Sequence, residues 1–233
     1  MQRQSDIEVF YDLMRQLEFK TGGLRRLGDC HGRMKWPKRG VYFFFEPGEY
    51  RSGDPRLQRV VRVGTHALAP KSRTTLWNRL SQHRGTTNPP GGNHRGSIFR
   101  LLVGEAIINS EQSLPVASWG KGSTAERDIR DLERTHEVRV SQYLGDMTLL
   151  HLDVPDEAGR DSARGVIERN SIALLSGFRE PAPDPPSPHW LGRYSGRERV
   201  RRSGLWNNNH VDEAYDPDFL NILQDLVRRM ADT

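Results

Sequence analysis

Gly40-Val41-Tyr42-Phe43-Phe44-Phe45-Glu46 is the stretch on which the fold turns. Its density of aromatic and β-branched residues predicts a buried strand. Downstream, Pro47, Gly48, Gly53 and Pro55 mark a polar loop, and Arg59 to Thr65 (RVVRVGT) predicts a second strand antiparallel to the first. Upstream, Ser5 with Glu8 has the form of a capping box. Ile7, Phe10, Leu13, Met14 and Leu17 follow at helical spacing until Thr21-Gly22-Gly23 ends the helix. A third strand is expected from Met147 to Val154, with a helix from Asp156 to Leu175 packed on it.

Thr74 and Thr75 can cap a helix running to about Arg84, and Gly85 to Gly92, with Pro89-Pro90-Gly91-Gly92, reads as loop. Ile98 to Ile108 is too apolar for a surface helix and belongs in the core. Ser123 and Glu126 repeat the capping-box pattern before a charged helix carrying Ile129 and Leu132. Pro181 to Pro188 excludes regular structure. Asp216-Pro217 then opens an amphipathic C-terminal helix bearing Phe219, Leu220, Leu223, Leu226, Val227 and Met230. The expected class is α+β: a small antiparallel sheet flanked by helices, with helical insertions and a C-terminal helix. Residues 1–35 form an N-terminal helical segment and 36–180 the core, with its insertion at about 92–143. Residues 181–233 carry the proline-rich loop, a basic segment and the last helix. No internal repeat is apparent.

The chain of 233 residues is long enough to bury a core, and although 28% of it is charged, its apolar residues fall in periodic blocks rather than in a disordered pattern. The single cysteine, Cys30, excludes a disulfide framework and a cysteine-based zinc site and suits a reducing compartment. The segment MQRQSDIEVF lacks the apolar run of a signal peptide, and no stretch reaches membrane-span length, so a cytoplasmic location is expected. Net charge is +5, which makes a polyanionic partner plausible without requiring one. Arg193, Arg197, Arg199, Arg201 and Arg202 crowd around one acid, Glu198, while Lys35, Lys38 and Arg39 precede the first strand. Two solvated surfaces would account for these clusters equally well.

Arg79 and His83 lie four apart on the helix LWNRLSQHR and share a face. Together they suit a phosphate, with a guanidinium fork for the oxyanion and an imidazole for proton handling; a solvated helix face is the alternative. Tyr42 follows Gly40, a residue that lets a ligand or backbone approach, though a tyrosine in an aromatic strand also serves as core filler. Glu168, in GVIERNSIALL, can hold one hard cation or form an ion pair with Arg164, one turn earlier.

In order along the chain, Gly40-Val41-Tyr42, Arg62-Val63-Gly64, Leu76-x-x-Arg79-Leu80-x-x-His83 and the helix with Glu168 resemble the GIY-YIG nuclease superfamily. The resemblance covers roughly Arg39 to Leu175 and implies a restriction- or defence-type endonuclease acting on double-stranded DNA. Tyr42 would activate or position the attacking water, and Arg79 would stabilise charge on the scissile phosphate. Glu168 would hold a single Mg²⁺ or Mn²⁺, and His83 would take the place some restriction-type members use for proton transfer. A late asparagine completes such sites; Asn207, Asn208 and Asn209 are candidates, with Asn207 favoured because it follows Leu205-Trp206. Two departures stand out: Arg62 replaces the tyrosine of the second motif, and the connection between the first two motifs is long. Under this resemblance Arg62 is expected to face the same site and contact a phosphate oxygen. Lys38, Arg39, Arg197, Arg199, Arg201 and Arg202 are the expected nucleic-acid contacts, and the insertion and C-terminal segment would grip the duplex or form a homodimer. A nucleic-acid-binding protein that keeps the fold without cleavage is the alternative.

Overall fold

The computed structural model describes residues 2–69, 71–111, 116–159 and 162–231. Helix α1 (Gln2–Lys20) leads to a two-residue strand β1 (Arg25–Arg26), then to β2 (Gly40–Tyr50), β3 (Gln58–Gly64) and α2 (Leu76–Arg84). A small hairpin of β4 (Thr86–Thr87) and β5 (Pro90–Gly91) precedes α3 (Ile98–Glu111) and α4 (Arg127–Asp146). The chain continues through β6 (Thr148–Asp153), α5 (Ala163–Leu175), α6 (Glu198–Ser203) and α7 (Phe219–Arg229). Strand order in the main sheet is β1-β6-β2-β3, antiparallel throughout, so the architecture is the expected α+β class.

Alternation along β2 sends successive side chains to opposite faces, and both faces are covered. Val41, Phe43 and Phe45 join Val60, Val63, Leu150 and Leu152 under α1, α5 and α7. Tyr42 and Phe44 join Leu149 and Phe99 under α2, α3 and α4, together with Trp190 and Trp206 from the C-terminal segment. Burial on both faces is why β2 reads as a continuous apolar run.

The C-terminal segment is bound to the sheet by polar groups as well. The carboxylate of Glu46 accepts from the indole nitrogens of Trp190 at 3.1 Å and Trp206 at 2.8 Å, and from the Tyr143 hydroxyl. Along the outer edge of β3, Trp206 N donates to Val61 O at 2.7 Å. The Asn207 side chain accepts from Val63 N at 3.1 Å and donates to Val63 O at 2.8 Å. Edge groups of β3 that would otherwise be open are therefore paired within the chain.

Several element boundaries differ from the sequence reading. Strand β2 runs on through Pro47 and Gly48, because register shifts let Tyr50 pair with Gln58 and because buried Glu49 binds Arg59 on β3 at 2.8 Å. Helix α1 already includes Ser5, so the Ser5/Glu8 pattern is not its cap. The charged helix α4 starts at Arg127, with Glu126 at the cap position making no side-chain bond. Helix α5 starts at Ala163, capped by Ser162 on Gly165 N, because Asp156 is spent on the Arg164 backbone and guanidinium. Thr75 does form a full capping box with Asn78, as its spacing predicts. The expected loop at 85–92 contains the β4–β5 hairpin, where Thr86 Oγ1 donates to Pro89 O across the turn.

Candidate active site

Gly40, Tyr42 and Gly64 define the centre of the site. Tyr42 pairs with Gly64 on β3 and with His151 on β6. A Cβ placed on Gly64 would lie 2.3 Å from the Tyr42 hydroxyl, so glycine at that position leaves the space the phenol occupies. A Cβ on Gly40 would meet Leu152 O at 2.3 Å, so this glycine permits close approach of β6.

Helix α2 lies over this face of the sheet. His83, fully buried, places Nε2 2.8 Å from the Tyr42 hydroxyl and Nδ1 2.8 Å from Ser97 Oγ. Burial, reinforced by the charges of Arg79, Arg62 and Arg100, pushes the imidazole well below its ordinary range, so it is neutral at physiological pH. Arg100 holds this end of α2 by donating to His83 O at 2.9 Å while its other nitrogens bind Glu137. One turn earlier, Arg79 is half-buried and donates to Gln82 Oε1 at 3.0 Å and Gly96 O at 3.3 Å. Those two partners, Gln82 and Gly96, line a surface depression of about 710 Å³ together with Ser81, Asn88 and Asn93.

Arg62 shares the face of Tyr42 and Phe44. Its guanidinium stacks 4.6 Å from the Phe99 ring centroid, Nη1 donates to Trp206 O, and Nε has no hydrogen-bond partner among the described residues. Burial lowers its proton affinity, and the neighbouring Tyr42 and Glu168 oppose that effect. Glu168, from α5, reaches the end of β3, where Oε1 accepts from Thr65 N at 3.1 Å. Desolvation raises its carboxyl above the usual range, against the hydrogen bond from Thr65 and the charges of Arg62, His210 and Arg79. Arg164, the alternative partner for Glu168, is instead bound to Asp156 and His66 O. Tyr42, Arg62, Arg79, His83 and Glu168, drawn from β2, β3, α2 and α5, thus form one coupled cluster.

The GIY-YIG domain model matches residues 1–233. The chain belongs to the GIY-YIG family. No curated protein and no solved structure matches it. In this GIY-YIG chain the first motif is Gly40-Val41-Tyr42 and the second ends in Gly64, with the Tyr42 hydroxyl lying over the second motif's glycine. The family match gives a nuclease-type domain.

Two expectations change. The resemblance gives His83 a proton-transfer role, but its complete burial among arginines keeps it uncharged at neutral pH. Arg62 faces the site, yet it is only 5% exposed and one of its nitrogens is committed to Trp206 O, so it forms part of the floor rather than an arm toward a phosphate. Asn207 adjoins the cluster by clamping Val63, the residue between Arg62 and Gly64, with both of its polar atoms. Asn208 and Asn209 bond one another at 3.4 Å on the surface.

Of the basic residues, Lys38 is exposed and Arg39 donates to Asp156 O. Arg199 binds Asp212, Arg201 donates to Ser195 O, and Arg202 binds Glu198 and lies 4.1 Å over the Phe178 ring. Arg197 is exposed. Three further contributors escaped the sequence reading: Ser97, Thr65 and His210. Thr65 joins the two glycine motifs, its hydroxyl donating to Gly40 O at 2.8 Å while its amide holds Glu168. Its position directly after Gly64 was the available signal. Ser97 precedes the apolar helix α3 and caps it by accepting from Arg100 N at 3.2 Å, but nothing in the spacing reveals its contact with His83.

Glu168 is the carboxylate in this cluster. Among the described residues no group of three or more histidine, cysteine or acidic side chains is arranged to hold an ion. Glu168 Oε1 is engaged by Thr65 N. Such a donor set suits a hard cation that keeps most of its waters and draws further ligands from substrate phosphate. No helix among the described residues is long and apolar enough to cross a membrane.

Proposed function

We propose that this chain hydrolyses phosphodiester bonds in double-stranded DNA as a divalent-metal-dependent endonuclease. The observation that carries this reading is the cluster itself: Tyr42, held by His83, lies with Arg79 and Arg62 beside Glu168, whose Oε1 is anchored by Thr65 N. Glu168 would hold one Mg²⁺ or Mn²⁺, which when bound neutralises charge gathering on the phosphate oxygens. Arg79 would place its guanidinium on the scissile phosphate, giving up its bonds to Gln82 and Gly96 O. Tyr42 orients the attacking water or takes its proton, and the buried charge of Arg62 adds positive potential from beneath. Asn207 acts through Val63 as a positioning residue. Lys38, Arg39 and Arg197 would meet the DNA backbone, whereas Arg199, Arg201 and Arg202 could do so only by exchanging their bonds within the chain.

Supercoiled plasmid incubated with the protein and Mg²⁺ or Mn²⁺ tests this reading. Nicking or linearisation is expected, abolished by EDTA and by Glu168→Ala, with DNA binding retained. Undiminished cleavage in EDTA would refute the metal requirement. A second reading, a DNA-binding protein without cleavage, is favoured by Arg62, which supplies no hydroxyl where the second motif has one. Binding with no cleavage in either metal would establish it.

A further inference from the structure

The hydrogen bonds around His83 have a direction, and it follows from counting protons. His83 is fully buried and neutral, so only one ring nitrogen carries hydrogen. Nδ1 faces Ser97 Oγ and Nε2 faces the Tyr42 hydroxyl, each at 2.8 Å. Ser97 is 1% exposed, and its oxygen already accepts from Arg100 N at 3.2 Å. Its hydroxyl proton has one acceptor among the described residues, His83 Nδ1. If Nδ1 carried the hydrogen, the serine proton would be left in the core without an acceptor, an arrangement folding penalises.

We propose that Ser97 donates to His83 Nδ1, fixes the Nε2–H tautomer, and so makes His83 a hydrogen-bond donor to the Tyr42 oxygen rather than a base. The bonds then run Ser97→His83→Tyr42, and the Tyr42 proton is directed at the site, where water or substrate can accept it. In the opposite direction the series would end at a buried hydroxyl with nothing to receive its proton. Ser97 is a positioning residue and His83 a fixed donor that steadies negative charge on the tyrosine oxygen. Capping of α3 and orientation of the imidazole thus depend on one hydroxyl group.

The tautomer is a property of the folded protein, whereas its catalytic meaning rests on the nuclease reading above; the two are tested separately. Long-range proton–nitrogen correlation spectra of ¹⁵N-histidine-labelled protein distinguish a pyrrole-type from a pyridine-type nitrogen, and the signals that vanish in His83→Gln identify His83. Protonated Nε2 and bare Nδ1 are expected in the unmodified protein; protonated Nδ1 would overturn the proposal whether or not the protein cleaves DNA. In Ser97→Ala the Nδ1-protonated form should appear and kcat should fall with little change in KM, while Ser97→Thr restores both. An unchanged tautomer in Ser97→Ala also overturns it. His83→Gln can donate but cannot take a proton, so its rate should fall by no more than about tenfold, against the 10²–10⁴-fold expected for loss of a general base. Loss equal to that of His83→Ala would return the histidine to the role of base.

Discussion

Asn207→Ala tests whether the late asparagine holds the site together or takes part in its chemistry. The side chain is 5% exposed and makes two hydrogen bonds to one residue, 3.1 Å to Val63 N and 2.8 Å to Val63 O. Each bond contributes about 1 kcal/mol net, and truncation also strands a backbone donor and acceptor that water reaches poorly. The expected loss is about 2–4 kcal/mol, or roughly 4–16 °C in Tm for a chain of this size. Urea and thermal unfolding followed by circular dichroism would measure it. Asn207→Asp supplies the control: it has the same shape but sets a carboxylate oxygen against Val63 O, so at neutral pH it should lose at least as much. Stability within about 0.5 kcal/mol of the unmodified protein in either variant, combined with loss of cleavage, would refute the clamp and make the amide part of the chemistry.

Three further outcomes are expected. Arg79→Lys keeps the charge but not the planar fork, and should lower the cleavage rate by at least about tenfold with Tm unchanged; equal rates would remove Arg79 from the reaction. His66 and His151, held at about 4 by burial, and His83 stay neutral in the fold, whereas the unfolded chain takes up protons below about 6.5. Stability should therefore be full above pH 6.5 and fall as pH drops toward 4, on the order of 2 kcal/mol for each of His66 and His151 after solvent screening, with His83 adding in the same direction; a flat urea midpoint across that window would contradict their burial. Arg197→Gln should lower the salt slope of DNA binding by about 1, whereas Arg199→Gln should mainly cost stability through lost contact with Asp212; an unchanged slope in Arg197→Gln would remove it from the interface.

What the sequence revealed follows from how local each signal is. The GVYFFFE strand was legible because burial on both faces leaves a continuous apolar run, and Thr75 with Asn78 because a cap needs only three residues of spacing. Ser5 and Glu8 had the same form but lie inside α1, whose start is fixed in part by Arg3 donating to Leu174 O and Ser176 O. Tyr42, Arg79, His83 and Glu168 could be named from motif order. Their states could not, because the neutrality of His83 arises from packing of α2 against the sheet and the floor position of Arg62 from a carbonyl 144 residues away. Ser97 was unreadable for the same reason: its partner is a side chain on another helix.

The clamp on β3 also has a consequence in time. Val63 receives its partner from Asn207, 144 residues later in the chain, and Arg62 receives the Trp206 carbonyl across the same separation. At ~5–20 residues per second, elongation across that gap takes roughly 7–30 s. Through that interval the nascent β2–β3 hairpin carries an open outer edge, a template for pairing with other chains. Over the same seconds Arg62 lacks its carbonyl and Glu46 lacks both indoles, so the centre stays unfinished until synthesis has passed Asn207. Assembly of the site is in this way tied to synthesis of the segment around residue 207, and a chain truncated before it would present the edge without ever closing it.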